Sequence, residues 1–248
     1  MSSSRRLLFA LTVVVALVAS GLGGWQLQRL FDRQARNRIA KADVLAEATD
    51  LNRATLTGSV SYRRATATGS YDHQRQIFLR GRLFRGTPGV QVVTPLLLEG
   101  QDTALLVNRG FVPTADAGHP TTELRFEEPG LVTVEGIALS IPSDGDGQPL
   151  PTPAGETWRR LDWGPLQDRF PYPIRPYYLI VTVDPDATRD HTLRGTSLPV
   201  RVEPPPLDDG PHLSYAVQWF MIAGAALGFG LVFVRRHQPR PVDLDLVS

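Results

Sequence analysis

Two long apolar stretches without a single charge, residues 7–27 and 213–234, constrain this chain more than anything else in it. At about 1.5 Å of rise per residue the first reaches roughly 31 Å as a helix, enough to cross the hydrocarbon core of a bilayer. A cleaved signal peptide is the rival reading, because Arg5 and Arg6 make a basic start and Val18-Ala19-Ser20 is a passable cleavage site. The apolar run continues past that point through Gly21, Leu22, Gly23, Gly24 and Trp25, which favours an anchor. The second stretch is preceded by Asp208 and Asp209 and closes with Arg235, Arg236, His237 and Arg240, so the basic bias predicts a cytoplasmic C-terminus. Two spans put the N-terminus there too. Arg29, Arg33, Arg36, Arg38 and Lys41 follow the first span and run against this rule, a conflict eased if residues 28–50 form a juxtamembrane helix among lipid headgroups. Residues 51–211 are then extracytoplasmic, 212–234 the second span and 235–248 a cytoplasmic tail.

Hydrophobic residues at 42% and charged residues at 21% are ordinary for a folded domain and argue against disorder in the middle of the chain. Beyond Leu51, short β-rich segments recur at residues 66–71, 76–83, 90–98, 104–111, 131–139, 177–183 and 198–202. Turn residues such as Gly86-Thr87-Pro88-Gly89 separate them. The expected fold is a mainly β (α+β) extracytoplasmic domain of antiparallel strands, flanked by two transmembrane helices. Residues 141–157, rich in Pro, Gly and Asp, read as a long surface loop. Leu27, Leu30, Phe31, Ala35 and Ile39 keep helical spacing, so the first helix is expected to continue towards Ala48.

Several function classes drop out. A net charge of +1 with no long run of one sign gives no field that would attract nucleic acid. The absence of cysteine removes disulfides, thiolate metal sites and thiol redox chemistry. No nucleophile elbow, zincin motif, P-loop or dinucleotide fingerprint is present, and no enzyme is expected. Asp72-His73 lies between two predicted strands and reads as a turn rather than a general base. His119 and His191 read as solvated loop residues.

Two polar-aromatic clusters belong at the same membrane depth, at the end of the first span and the start of the second. The first contains Trp25 and Arg29; the second contains His212, Tyr215, Gln218 and Trp219. On a helix, His212, Tyr215 and Trp219 share one face with Gln218 beside it. An interfacial aromatic belt with His212 capping the helix in water is the plain alternative to a binding site. Ala16, Ser20 and Gly24 on one helix and Gly224 and Gly228 on the other follow a small-xxx-small pattern that would let the helices pair. Asn108-Arg109-Gly110 follows Leu105-Leu106-Val107 and is expected at a strand end, either as a tight turn or as a docking point.

These residues also carry a resemblance. Gly24-Trp25-Gln26-Leu27-Gln28-Arg29 and His212-Leu213-Ser214-Tyr215-Ala216-Val217-Gln218-Trp219-Phe220 resemble the helix-end signatures of the Surfeit locus protein 1 family. The segments Thr68–Asp72, Gln76–Arg80, Pro88–Leu96 and Leu105–Pro113 are similar to its central β region. Two departures are Phe111, where the family commonly has tryptophan, and residues 141–153, which match nothing in it. The resemblance implies a non-enzymatic assembly factor of haem-copper cytochrome c oxidase in a bacterial cell (inner) membrane. It would bind haem a transiently, with His212 as axial ligand to the haem iron. Tyr215 and Trp219 would line the ring, Gln218 and Trp25 would belong to the same cofactor site, and Arg29 would pair with a propionate. Implied partners are the oxidase catalytic subunit, haem a synthase and membrane lipid. A stable structural subunit of the oxidase or its supercomplex, without haem, is the competing expectation. An enzyme with an unrecognised site in the β domain is a third.

Overall fold

The computed structural model describes residues 3–58, 60–114, 126–145, 147–182 and 198–236. The chain divides into two compact units. One comprises Met1–Arg38 with Asp208–Ser248, and the other is Ile39–Leu207.

The first unit is a pair of helices. Helix α1 is continuous over Ser3–Leu45, its last turns belonging to the second unit, and α3 covers His212–Arg236. Both are long and apolar enough to cross a membrane. Most of their large apolar side chains point outward, among them Leu11, Leu17, Met221 and Phe229. On α1 Phe9, Thr12, Ala16, Ala19, Gly23, Gln26, Leu30, Arg33 and Asn37 are buried or half-buried, with Val13, Leu22, Leu27 and Gln34 half-buried beside them; on α3 His212, Ala216, Trp219, Ala223, Ala226 and Gly230 are buried or half-buried. Both series step alternately by three and four residues, the spacing of a heptad seam. The contacts run in opposite senses: Arg33 meets Asp208, Gln26 meets His212, and Gly230 packs on Thr12 and Phe9. The pair is therefore antiparallel. This corrects the small-xxx-small expectation. Ala16 is in the seam, but Ser20 is exposed, and a Cβ on Gly24, Gly224 or Gly228 would meet nothing within 4 Å. Close approach instead uses Ala19, Gly23, Ala223 and Gly230, because small side chains on the facing positions let the two backbones come together.

The second unit is built on nine strands among the described residues. They are β1 (Thr49–Asp50), β2 (Arg63–Tyr71), β3 (Ile77–Phe84), β4 (Thr87–Leu98), β5 (Ala104–Pro113), β6 (Leu131–Ser140), β7 (Leu150–Thr152), β8 (Gly155–Trp158) and β9 (Ile174–Val181). Strands β2, β6, β9, β5 and β4 pair in that order, and β4 pairs back onto β2, which closes a five-stranded barrel. Closure is achieved by dividing the long strand β4: its first half pairs with β3 and its last residues, Leu96–Leu98, with β2. An all-antiparallel arrangement was expected, but strand directions cannot alternate all the way round a ring with an odd number of members. One pair must run parallel, and it is β5 with β9. The short edge pairs β1–β2 and β3–β8 are parallel as well.

Alternate residues of the ring fill the barrel: Ala65, Ala67 and Tyr71 from β2, Leu105 and Val107 from β5, Tyr177, Leu179 and Val181 from β9. The opposite face of β5 carries Ala104 and Leu106 into a second core with Trp158, Leu166 and Phe170. Strand β5 is thus buried on both sides, which is why it reads as a continuous apolar run rather than an alternation. The second core also explains the region expected to be a loop. Leu150–Thr152 and Gly155–Trp158 form a hairpin that extends the sheet from β3, and Trp158 is wholly buried. Helix α2 (Trp163–Gln167) follows, its amino end capped by the Asp162 carboxylate. The segment expected as a strand at 198–202 makes only a two-residue bridge, Val200 to Phe111.

Candidate functional site

Among the residues expected to form a site, His212 is the one the helix pair builds most deliberately. It opens α3 at a seam position, and Gln26 occupies the facing seam position on α1. Gln26 Oε1 lies 2.9 Å from His212 Nδ1. A carboxamide oxygen only accepts, so the contact suits the tautomer that carries its proton on Nδ1 and its lone pair on Nε2. Nε2 has no hydrogen bond among the described residues, and its edge of the ring faces Gly210. A side chain at Gly210 would lie 3.6 Å from Nε2; glycine leaves that edge uncovered.

The turn before α3 is clamped to α1. Arg33 donates to the Asp208 carbonyl at 2.8 Å and to its carboxylate at 3.0 Å. Asn37 reaches the same carbonyl and the Asp209 carboxylate, and Gln34 donates to Asp209. Gly210 N–H returns to the Asp208 carboxylate at 2.9 Å, with Gly210 at φ +67°. Arg33, read from sequence as part of a basic headgroup run, is therefore an ion-paired anchor for the turn that presents His212.

Helix geometry gathers the remaining expected residues on one side. In an antiparallel pair the positions just before each seam residue fall on the same flank. Arg29 and Trp25 of α1 and Tyr215 and Gln218 of α3 occupy that flank, and all four are exposed. The Arg29 guanidinium sits 5.6 Å from the centre of the Trp25 ring. Trp219 is separate: it turns into the seam and packs on the cluster of Ala16, Ala19 and Ala223. The site is thus an imidazole at the seam mouth beside an open aromatic and cationic flank. Sequence reasoning assigned no role to Gln26, Arg33, Asn37 or Gly210. The heptad that contains the first three was the available signal.

A histidine held in this way could act as a single ligand to a metal. A metal-bound imidazole ordinarily donates its second N–H to a fixed acceptor, which orients the ring and fixes the tautomer. Gln26 occupies that place for His212. No grouping of three or more histidine, aspartate or glutamate side chains suited to a metal occurs among the described residues.

Two further expectations fall in the β unit. Asp72 and His73 do form a turn, with a short 3-10 helix at His73–Arg75. Burial tends to raise the Asp72 carboxyl, but hydrogen bonds from Arg75 and Tyr172 outweigh it and hold its pKa below the usual value. Asn108-Arg109-Gly110 is neither turn nor strand end. Strand β5 runs on to Pro113, and Arg109 is the extra residue of a β-bulge between the pairs Val93–Asn108 and Val92–Gly110. Its side chain is fully buried, hydrogen-bonded to Glu128 at 2.6 Å and 4.7 Å from the Tyr71 ring centre. Arg109 Nε and Nη1 and the Tyr71 hydroxyl have no partner. Burial drives the Tyr71 pKa up to about 12, against the opposing pull of Arg109. His119 and His191 lie outside the described residues.

Comparison with known proteins places this arrangement. The model of the SURF1 family matches residues 13–224, a range that includes both helix-end clusters and the whole barrel. A SURF1-like protein of Monosiga brevicollis is 30% identical over 242 residues, covering 90% of this chain and 85% of its own length. Surfeit locus protein 1 of Homo sapiens is 25% identical over 86% of this chain and 73% of its own, and that of Mus musculus 26% identical over 60% and 54%. With a long apolar helix before and after a β-rich unit in the sequence and a family match over most of its length, the chain belongs to the SURF1 family.

Proposed function

We propose that this protein is a non-enzymatic assembly factor of haem-copper cytochrome c oxidase, anchored in a bacterial cell membrane, that holds haem a through His212 while the catalytic subunit acquires it. The observation that carries this reading is the Gln26–His212 hydrogen bond, which holds the imidazole by Nδ1 and leaves Nε2 to act as a ligand. Membership of the SURF1 family supports an oxidase client.

Each neighbouring group has a part. Gln26 orients the imidazole and Gly210 leaves its free edge accessible. The Arg33–Asn37–Asp208 clamp fixes the turn from which α3 starts. Arg29 offers a cation on the flank for a propionate, with Trp25 and Tyr215 as flat apolar surface beside it. In this reading the haem is cargo, and a single protein ligand at the edge of two helices suits release better than a closed cage. Both termini are cytoplasmic and the β unit faces the other side of the membrane, with the catalytic subunit and haem a synthase as partners.

The test is the absorption spectrum of the detergent-purified protein after co-expression with haem a synthesis. A haem a signal in the wild type, lost in His212→Ala and shifted or weakened in Gln26→Leu, is expected. A folded, membrane-inserted protein with no haem in any of the three overturns the carrier role and leaves a structural partner of the oxidase.

A further inference from the structure

A groove of about 650 Å³ opens in the wall of the β unit, within the size range of small-molecule sites. One side is the β3–β4 hairpin with Phe84 near its tip; the other is the segment after Val200. The paired hydrogen bonds between Phe111 and Val200, 2.7 and 2.8 Å, lay that segment beside β5, and Tyr62 Oη donates to the Pro205 carbonyl at 2.7 Å. Three consecutive prolines contribute no N–H donors, so this wall is apolar. Phe84, Tyr178 and Val202 complete an apolar lining.

Charge in the groove is one-sided. Arg82 and Arg201 line it with one carboxylate, Glu203, among the described residues. Arg201 is held in place by donating to the Arg109 carbonyl, and Arg82 by donating to the Arg159 carbonyl at 3.0 Å. Arg82 Nε is buried with no partner, and burial lowers the pKa of this guanidinium. Neither cation is paired with a carboxylate in the groove.

We infer that this groove binds an amphipathic anion, a molecule with an apolar body and a carboxylate or phosphate head. A wholly polar anion would leave the Phe84, Tyr178 and proline walls in water. An uncharged apolar ligand would desolvate Arg82 and Arg201 without a counter-charge, which is costly. A ligand carrying both features meets both demands. This site is separate from His212 and independent of the haem reading.

The experiment uses the full chain in phosphatidylcholine nanodiscs, titrated with the fluorescent fatty acid dansylaminoundecanoate and, separately, with its uncharged methyl ester. Empty nanodiscs provide the baseline. Saturable binding of the acid is expected, with the ester weaker by about tenfold or more and Arg82→Gln weakening the acid by about tenfold. Leu83 is 75% exposed on the groove rim, so Leu83→Asp adds a repelling charge without disturbing the core and should weaken binding similarly. Substituting phosphatidylglycerol for the nanodisc lipid names the source. Displacement of the probe assigns the groove to an anionic lipid headgroup, and undiminished binding assigns it to a soluble amphiphile. No saturable binding, equal binding of acid and ester, or wild-type affinity in both variants overturns the proposal.

Discussion

The helix pair closes on Ala16, Ala19, Gly23, Ala216, Ala223 and Gly230, whereas the β unit fills its interior with Trp158, Tyr177, Phe78 and Phe111. In water, large buried rings are the main source of stability, because each removes apolar area from solvent. Between two helices whose outer faces are themselves apolar, area gives no such gain, and close backbone approach and polar contacts hold the pair instead. Polar residues follow the same division. Arg33, Asn37, Gln26 and His212 tie the pair together at the start of α3, while the β unit hides one arginine among the described residues, Arg109, against Tyr71 and Glu128.

Substitutions can break this contrast in order of size. Trp158→Ala removes a fully buried ring and should cost about 3–5 kcal/mol in urea unfolding followed by near-UV circular dichroism. A loss under about 1 kcal/mol would mean that the second core is not a cooperative part of the unit. Glu128→Gln leaves the buried Arg109 guanidinium without its counter-charge and should cost about 1.5–3 kcal/mol by the same titration.

The helix pair gives a sharper, internal comparison. Gly230→Leu drives a side chain into Thr12 and should destabilise the pair by about 1–3 kcal/mol in thermal unfolding in detergent. Gly224→Leu, on the open face, should stay within about 0.5 kcal/mol. The reverse order would restore the small-xxx-small seam and refute the heptad.

The smallest effect concerns Tyr71. Its hydroxyl is buried without a partner, so Tyr71→Phe should be nearly neutral at pH 7. The folded state holds this phenol at about 12, above the usual value near 10. Its contribution is therefore complete below about pH 10 and falls away as pH rises towards 12, a decline the phenylalanine variant should lack. An identical alkaline profile for both proteins would place the phenol in water.

How much of this was legible beforehand depended on the range of the interaction. The main strands and both long helices follow from local periodicity, and their bounds lie within a few residues of expectation; α1, for example, ends at Leu45 rather than near Ala48. Residues 150–158 escaped notice because a three-residue strand beside a four-residue strand shows no period. Asn108-Arg109-Gly110 was misplaced for a different reason. A polar residue inside a strand looks like the strand's end unless the bulge that accommodates it and the Glu128 that pairs with it are both known.

By itself the sequence determined two apolar spans, a β-rich middle and a histidine at the mouth of the second span, since length, alternation and charge are properties of neighbouring residues. Tertiary structure alone decided that the barrel closes through β4 onto β2, that an odd ring forces β5 parallel to β9, and that Gln26 rather than any other polar group meets His212. Those outcomes join residues far apart in the chain. They depend on which surfaces fit when the backbone is folded, and no local pattern encodes that fit.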